Sequence, residues 1–99
     1  MILQMLKVEG SSLHPDYQDG DYVLVSRLPW LFSRVHPGDV VVFDHPRLGK
    51  MIKFVQRLEQ DGRAVYVIGR DADSVDSRIF GAVPRNLLLG KVIWHIPGK

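Results

Sequence analysis

Met51-Ile52-Lys53-Phe54-Val55-Gln56-Arg57-Leu58, the pair Asp61-Gly62, and Ala64-Val65-Tyr66-Val67-Ile68 decide the fold. Both runs are rich in β-branched and aromatic residues, and Asp-Gly between them is a hairpin signal. The segment therefore reads as two antiparallel strands around a tight turn. Outward from the hairpin the same grammar repeats. Pro37-Gly38-Asp39 leads into Val40-Val41-Val42-Phe43, and Gln18-Asp19-Gly20-Asp21 leads into Tyr22-Val23-Leu24-Val25. Each is a glycine–aspartate turn followed by a strand of buried type. Leu3 to Val8 is a further strand, broken by Glu9-Gly10, and Leu88 to Ile96 is the last. Pro84-Arg85-Asn86-Leu87 reads as one helical turn, and the polar stretch from Gly69 to Arg78 as a loop. No ten-residue stretch has helical periodicity. These elements predict an all-β domain, a small coiled barrel or sandwich with little or no helix.

Ninety-nine residues fit a single domain over residues 1–99, with one modest core. The content, 45% hydrophobic and 24% charged, is that of an ordinary soluble globular protein and argues against wholesale disorder. The formal charge is only +2, and the basic residues (Lys7, Arg27, Arg34, Arg47, Lys50, Arg57) are scattered singly, so no nucleic-acid partner is expected. Cysteine is absent, which excludes disulfides, thiolate catalysis and thiolate metal sites. No apolar run approaches the roughly 20 residues that span a bilayer. The opening Met1-Ile2-Leu3-Gln4-Met5-Leu6 is too short for a signal peptide and lacks its positive flank and cleavage site. The chain reads as soluble, cytoplasmic or held at a membrane by an anchor outside these residues.

Two residues suggest chemistry. In Gly10-Ser11-Ser12-Leu13-His14-Pro15, Gly10 permits a close turn and Pro15 fixes the exit, which would set Ser12 at a bend with its own N–H near its hydroxyl. That suits a nucleophile that also supplies an oxyanion donor; a turn serine with a local hydrogen bond is the plainer alternative. Lys53 interrupts an apolar strand between Ile52 and Phe54. A lysine accepts a proton from a serine hydroxyl only when neutral. Its free pKa of about 10.4 can fall by up to about 3–5 units on burial, so a lysine in an apolar wall is a candidate general base. A solvent-facing lysine on a half-buried strand is the competing reading.

A third segment, Asp71-Ala72-Asp73-Ser74-Val75-Asp76-Ser77-Arg78-Ile79-Phe80-Gly81-Ala82-Val83-Pro84, resembles the Ser-x-Asp-Ser-Arg…Gly-x-Val-Pro loop of bacterial type I signal peptidases. Gly10-Ser11-Ser12-Leu13-His14-Pro15 resembles their Gly-x-Ser-Met-x-Pro box and Ile52-Lys53-Phe54-Val55 their x-Lys-Arg-Val box. Pro37-Gly38-Asp39-Val40-Val41 and Gly90-Lys91-Val92 match further segments in the same order. The chain is thus similar to the wider superfamily of serine–lysine peptidases that includes LexA-like regulators. It is most similar to short members such as those that mature nickel-type superoxide dismutase by trimming its N-terminus.

The resemblance implies a small serine endopeptidase core that removes an N-terminal signal or pro-segment, bound as an added strand. It implies Ser12 as nucleophile, Lys53 as general base, Ser74 orienting the lysine amine, and Asp76 with Arg78 as a supporting ion pair. Gly10, Ser12 and Leu13 would form the oxyanion and substrate-binding side, with the Ser12 N–H as donor. Three departures stand out: Leu13 replaces methionine, Phe54 replaces the arginine after the lysine, and Arg70-Asp71-Ala72 replaces the usual Asp-Asn after the glycine. No cofactor and no metal are expected, because His14, His36, His45 and His95 show no ligand spacing. Spacing alone leaves a Ser–His–Asp triad on Ser12 open, but Lys53 makes it unnecessary.

Trp30-Leu31-Phe32 reads either as an aromatic loop tucked over a barrel end or as an apolar finger touching a membrane surface or partner. The partner expected is a protein or peptide with an extended N-terminal segment. The alternative function is a catalytically idle β domain that binds peptides or a partner. A LexA-like self-cleaving regulator ranks last, since ninety-nine residues leave no room for a DNA-binding domain.

Overall fold

Glycine–aspartate turns organise the chain. Gly20 and Gly38 have φ of 92° and 94°, a region that favours glycine. In both turns the following aspartate folds back onto the chain three residues earlier. Asp21 Oδ2 accepts from the Gln18 N–H at 2.9 Å, and Asp39 Oδ2 from the His36 N–H at 2.8 Å. Each turn delivers the chain into a strand with buried valines, as the sequence predicts.

The structure, a computed structural model of the chain, describes residues 3–10, 13–28 and 35–98. Its strands are β1 (Leu3–Lys7), β2 (Tyr22–Ser26), β3 (Val40–His45), β4 (Gly49–Glu59), β5 (Ala64–Ile68), β6 (Val83–Pro84) and β7 (Leu88–Ile96). They form one seven-stranded sheet in the order β1-β2-β7-β3-β4-β5-β6, with every pairing antiparallel. The all-β class read from the sequence holds. The sheet does not close by hydrogen bonds: β1 and β6 are its edges.

Register shifts at Leu24/Val25, Val42/Phe43 and Val55/Arg57 interrupt the ladders. Bulges of this kind bend and twist a sheet, and here the sheet wraps around two apolar clusters. Val41, Phe43, Val55, Val65, Val67 and Val83 belong to the first, and Val8, Val23, Val25 and Val42 to the second. Strand β3 feeds both, with Val41 in one and Val42 in the other. That explains why Val40-Val41-Val42-Phe43 is apolar without alternation. Where β7 crosses β2 the backbones are close: a Cβ on Gly90 would collide with the Val25 side chain and lie 2.7 Å from the Ser26 carbonyl oxygen.

The hairpin at Asp61-Gly62 forms as read, with Glu59 opposite Ala64. The predicted turn after Pro84 is a 3₁₀ turn over Arg85–Leu87. The predicted loop from Gly69 to Arg78 ends earlier than expected, in a one-turn helix α1 (Ser77–Phe80) capped by the Asp76 side chain. Among the described residues no helix is long and apolar enough to cross a membrane. Trp30, Leu31 and Phe32 lie outside the described residues.

Candidate active site

Lys53 sits opposite Val41 in the β3–β4 ladder, and Val41 is a fully buried member of the first apolar cluster. Alternation along β4 puts the lysine on the same inward face as Met51 and Val55. It is 4% exposed, so the outward-facing alternative is wrong for this residue. Its ammonium makes no hydrogen bond or ion pair with any described residue. Burial pushes its pKa below the ordinary lysine value; Asp76 pulls it up and Arg78 pushes it further down.

The loop after β5 supplies those two charges. Asp76 is fully buried, and its carboxylate caps α1 by accepting from the Arg78 N–H at 3.0 Å. It also accepts from the Gly69 N–H at 2.8 Å and from the Arg78 guanidinium at 2.6 Å. Burial alone would raise the Asp76 pKa, but Arg78 and these N–H groups outweigh it and hold the carboxyl below its usual value. Arg78 also donates to the Asp71 carbonyl at 3.1 Å, and the Val67 N–H donates to the Ser77 hydroxyl at 2.8 Å. The ion pair thereby staples the loop to its own start, and the Ser77 hydroxyl ties it to β5.

Ser74 lies within that loop and is buried. Its Oγ has no hydrogen-bond partner, so the bond from Ser74 to the lysine amine that the resemblance implies is not formed here. The Ser74 hydroxyl is thus a buried polar group unsatisfied among the described residues, while the Lys53 side chain lines a cleft and bonds none of them. Such groups are costly and uncommon, and they concentrate where a site is built for something else to complete it.

Ser11 and Ser12 lie outside the described residues; the flanking Gly10 and Leu13 do not. Gly10 has a φ of 85° and donates its N–H to Asp19 at 2.9 Å. Leu13 is 1% exposed, and its carbonyl accepts from the Tyr17 N–H at 3.0 Å.

A cleft of about 320 Å³ opens beside Lys53. One wall is the run from Leu6 to Glu9 and the other the run from Lys50 to Lys53, with Val23 and Val42 also lining it. Among the described residues both walls are unpaired strand edges. β1 pairs with β2 alone, and residues 49–53 of β4 pair with β3 but precede the stretch that meets β5. The sequence singles out Lys53 but not Lys50 or the β1 residues, because only the strand order sets these two edges across one cleft.

Of the histidines, His95 Nε2 contacts Asp21 at 2.7 Å, and His45 Nδ1 accepts from the N–H groups of Arg47 and Leu48 at 3.1 Å each. Asp21 is held in its charged form. The N–H groups of Gln18 and Gly98, and then His95, hold its pKa down to about 2. Among the described residues no three acidic or histidine side chains come together to hold a metal ion.

The chain matches the family model described as signal peptidase, peptidase S26, over residues 1–61. That span includes positions 12 and 53 and ends before the loop of Ser74, Asp76 and Arg78. The chain is 39% identical over 49 residues to Signal peptidase I V of Bacillus subtilis (strain 168), covering 50% of this chain and 29% of that protein. It is 29% identical over 91 residues to Signal peptidase I of Aquifex aeolicus (strain VF5), covering 92% of this chain and 32% of that protein. The chain spans about a third of the length of these curated relatives.

Proposed function

The chain belongs to the signal peptidase family, peptidase S26, and on that premise we propose that residues 1–99 form a serine endopeptidase core with a Ser12–Lys53 dyad. The observation that carries the proposal is the state of Lys53: buried, without a described partner, with its pKa lowered by burial, and on the wall of a cleft between two strand edges. A surface lysine would be protonated near neutrality and useless as a base. A buried one can exchange its proton with a serine hydroxyl.

In this reading a substrate segment lies in the cleft as an added strand, hydrogen-bonding to the free edges. The Ser12 hydroxyl oxygen attacks the scissile carbonyl carbon while its proton passes to the neutral Lys53 amine. The Ser12 N–H, on the side formed with Gly10 and Leu13, donates to the developing oxyanion. Collapse breaks the C–N bond, and the Lys53 ammonium returns the proton to the departing amine. Lys53 then takes a proton from the water that attacks the ester carbonyl, and returns it to the Ser12 oxygen as the acyl C–O bond breaks. Ser74 orients the amine when the cleft is filled, and Asp76 with Arg78 holds the loop that carries Ser74.

The substrate class is a protein with an extended N-terminal segment that is removed as a signal or pro-sequence. Contact with a lipid surface through Trp30, Leu31 and Phe32 is part of the same reading, and vesicle flotation of the wild type against a triple-serine variant tests it.

The deciding experiment is mass-spectrometric detection of cuts in a diverse peptide pool that includes the N-terminal segment of a nickel-type superoxide dismutase precursor. Wild type, Ser12→Ala and Lys53→Met are compared from neutral to alkaline pH. Cuts made by the wild type alone support the dyad. A Lys53→Met variant that still cleaves overturns it and makes the His95–Asp21 pair the next base to test. Binding without cleavage by all three points to the idle peptide-binding domain.

A further inference from the structure

The proposed site is assembled from three separate stretches of chain, and one exposed side chain touches all of them. Arg70 belongs to the loop that carries Ser74 and Asp76. Its Nε and one terminal nitrogen reach Asp16 Oδ2 at 2.8 and 2.7 Å. Asp16 lies in the turn that begins at Leu13, directly after the proposed nucleophile. The guanidinium also stacks over the Phe54 ring at 4.5 Å from its centroid, and Phe54 is the neighbour of Lys53 on β4. Tyr17, the residue after Asp16, meets the same ring edge-on at 6.0 Å. Asp16, Arg70, Phe54 and Tyr17 therefore form a closed circuit of contacts through the nucleophile turn, the lysine strand and the loop.

We propose that Arg70 is a positioning residue that fixes the Leu13–Tyr17 turn and the Ser74 loop relative to the Lys53 strand. This rests on the peptidase reading for its catalytic consequence and on the contacts above for its geometry. The bracket is not a stability device. The Arg70 and Asp16 side chains are 55% and 42% exposed, and ion pairs this open to solvent add little to global stability. Their value lies in restricting relative motion. A nucleophile and a base carried on different segments lose rate steeply when misplaced by about 1 Å, by on the order of 100-fold. Either partner alone leaves the bracket open: the ion pair ties the loop to the turn, and the ring stack ties the loop to β4. An arginine satisfies both because its planar fork can pair in-plane while its face stacks.

The test compares Arg70→Ala, Arg70→Lys, Asp16→Asn and the Arg70→Ala/Asp16→Asn pair with the wild type and with Ser12→Ala. Arg70→Ala is expected to lower kcat by roughly 10–100-fold with little change in KM or melting temperature. Arg70→Lys, which keeps the charge but not the fork, recovers only part of that loss. The double variant is expected to be no worse than Arg70→Ala, since both changes open one bracket. Amide hydrogen exchange supplies an activity-independent readout: in Arg70→Ala, residues 13–17 and 70–76 should lose protection together. Unchanged kcat, additive losses, or exchange confined to the residues beside position 70 would overturn the inference. If the wild type and Ser12→Ala are equally inactive, the peptidase reading fails instead, and the exchange result alone decides whether Arg70 couples the segments.

Discussion

Replacing Lys53 with methionine should abolish turnover and, at neutral pH, make the domain more stable. Methionine retains an unbranched stem of similar reach, so packing on the inward face of β4 is largely kept. What the change removes is the ammonium of a residue that is 4% exposed, a group that burial destabilises in its charged form and that has no partner among the described residues. Partly desolvating a charged group without a bonded partner costs about 1–3 kcal/mol. In a domain of this size a change of about 1 kcal/mol moves the melting midpoint by roughly 4–8 °C. The variant should therefore melt at least about 4 °C above the wild type. The sign of the pH dependence follows from the direction of the shift. Burial lowers the folded-state pKa of Lys53 below its ordinary 10.5, so between the two values the unfolded chain binds more protons and wild-type stability rises with pH. The penalty is complete below the folded pKa and gone above the unfolded one. Thermal melts followed by circular dichroism should show the two proteins converging as pH approaches 10.5. A variant less stable than the wild type at neutral pH, or a gap that does not narrow with alkalinity, would refute the argument.

Other substitutions separate the roles of the remaining groups. Ser74→Ala removes a buried hydroxyl with no partner, so stability should hold or rise by up to about 1 kcal/mol, while cleavage falls if Ser74 orients the amine; denaturant titration and peptide turnover read the two effects separately. Asp21→Asn should narrow the stability range in acid. The Asp21 carboxyl is depressed to about 2 from 3.8, so its contribution is present above 3.8 and is lost as pH falls toward about 2, where wild type and variant should melt alike. Arg78→Gln and Asp76→Asn should shift the pH profile of cleavage in opposite directions. Losing Arg78 leaves Asp76 to raise the Lys53 pKa, and losing Asp76 leaves Arg78 to lower it; shifts of the same sign would show that the pair acts only by holding the loop.

The parts of the fold legible in the sequence are those specified locally. Gly20-Asp21 and Gly38-Asp39 encode the same turn because glycine permits the backbone and aspartate supplies the acceptor for the N–H three residues back. The hairpin around Asp61-Gly62 is similarly self-contained. The features that are not legible depend on distant partners. Strand β7 lies between β2 and β3, which no local pattern announces, and that order sets β1 opposite β4 across the cleft. Helix α1 has four residues, too few for periodicity, and exists because Asp76 caps it and the Val67 N–H binds Ser77. Val83–Pro84 becomes a strand only by pairing with β5. The inward direction of Lys53 is ambiguous in the sequence because its immediate neighbours on both sides are apolar, so alternation does not choose between the two faces. The Asp16–Arg70 pair spans 54 positions. In the sequence Arg70 stands out only as a departure from the signal peptidase loop pattern, and Phe54 only as a departure from the lysine box. The structure brings the two departures into contact.

The charges around Lys53 bear on how its proton affinity is set. Asp76 and Arg78 act on the lysine with opposite signs and are bound to each other, so their effects offset and burial remains the leading influence. A base tuned by burial responds to whatever fills the space beside it. The cleft next to Lys53 is open to water when empty, and a peptide strand laid between β1 and β4 would exclude that water and deepen the burial. The Lys53 pKa should then be lower in the enzyme–substrate complex than in the free enzyme. Since kcat/KM reports the free enzyme and kcat the complex, the alkaline rise of kcat should have its midpoint at lower pH than that of kcat/KM. Peptides long enough to occupy both edges should widen the gap relative to short ones that leave part of the cleft wet. Identical midpoints for long and short substrates would mean that Lys53 is already as dry as it becomes, and that the cleft contributes binding alone.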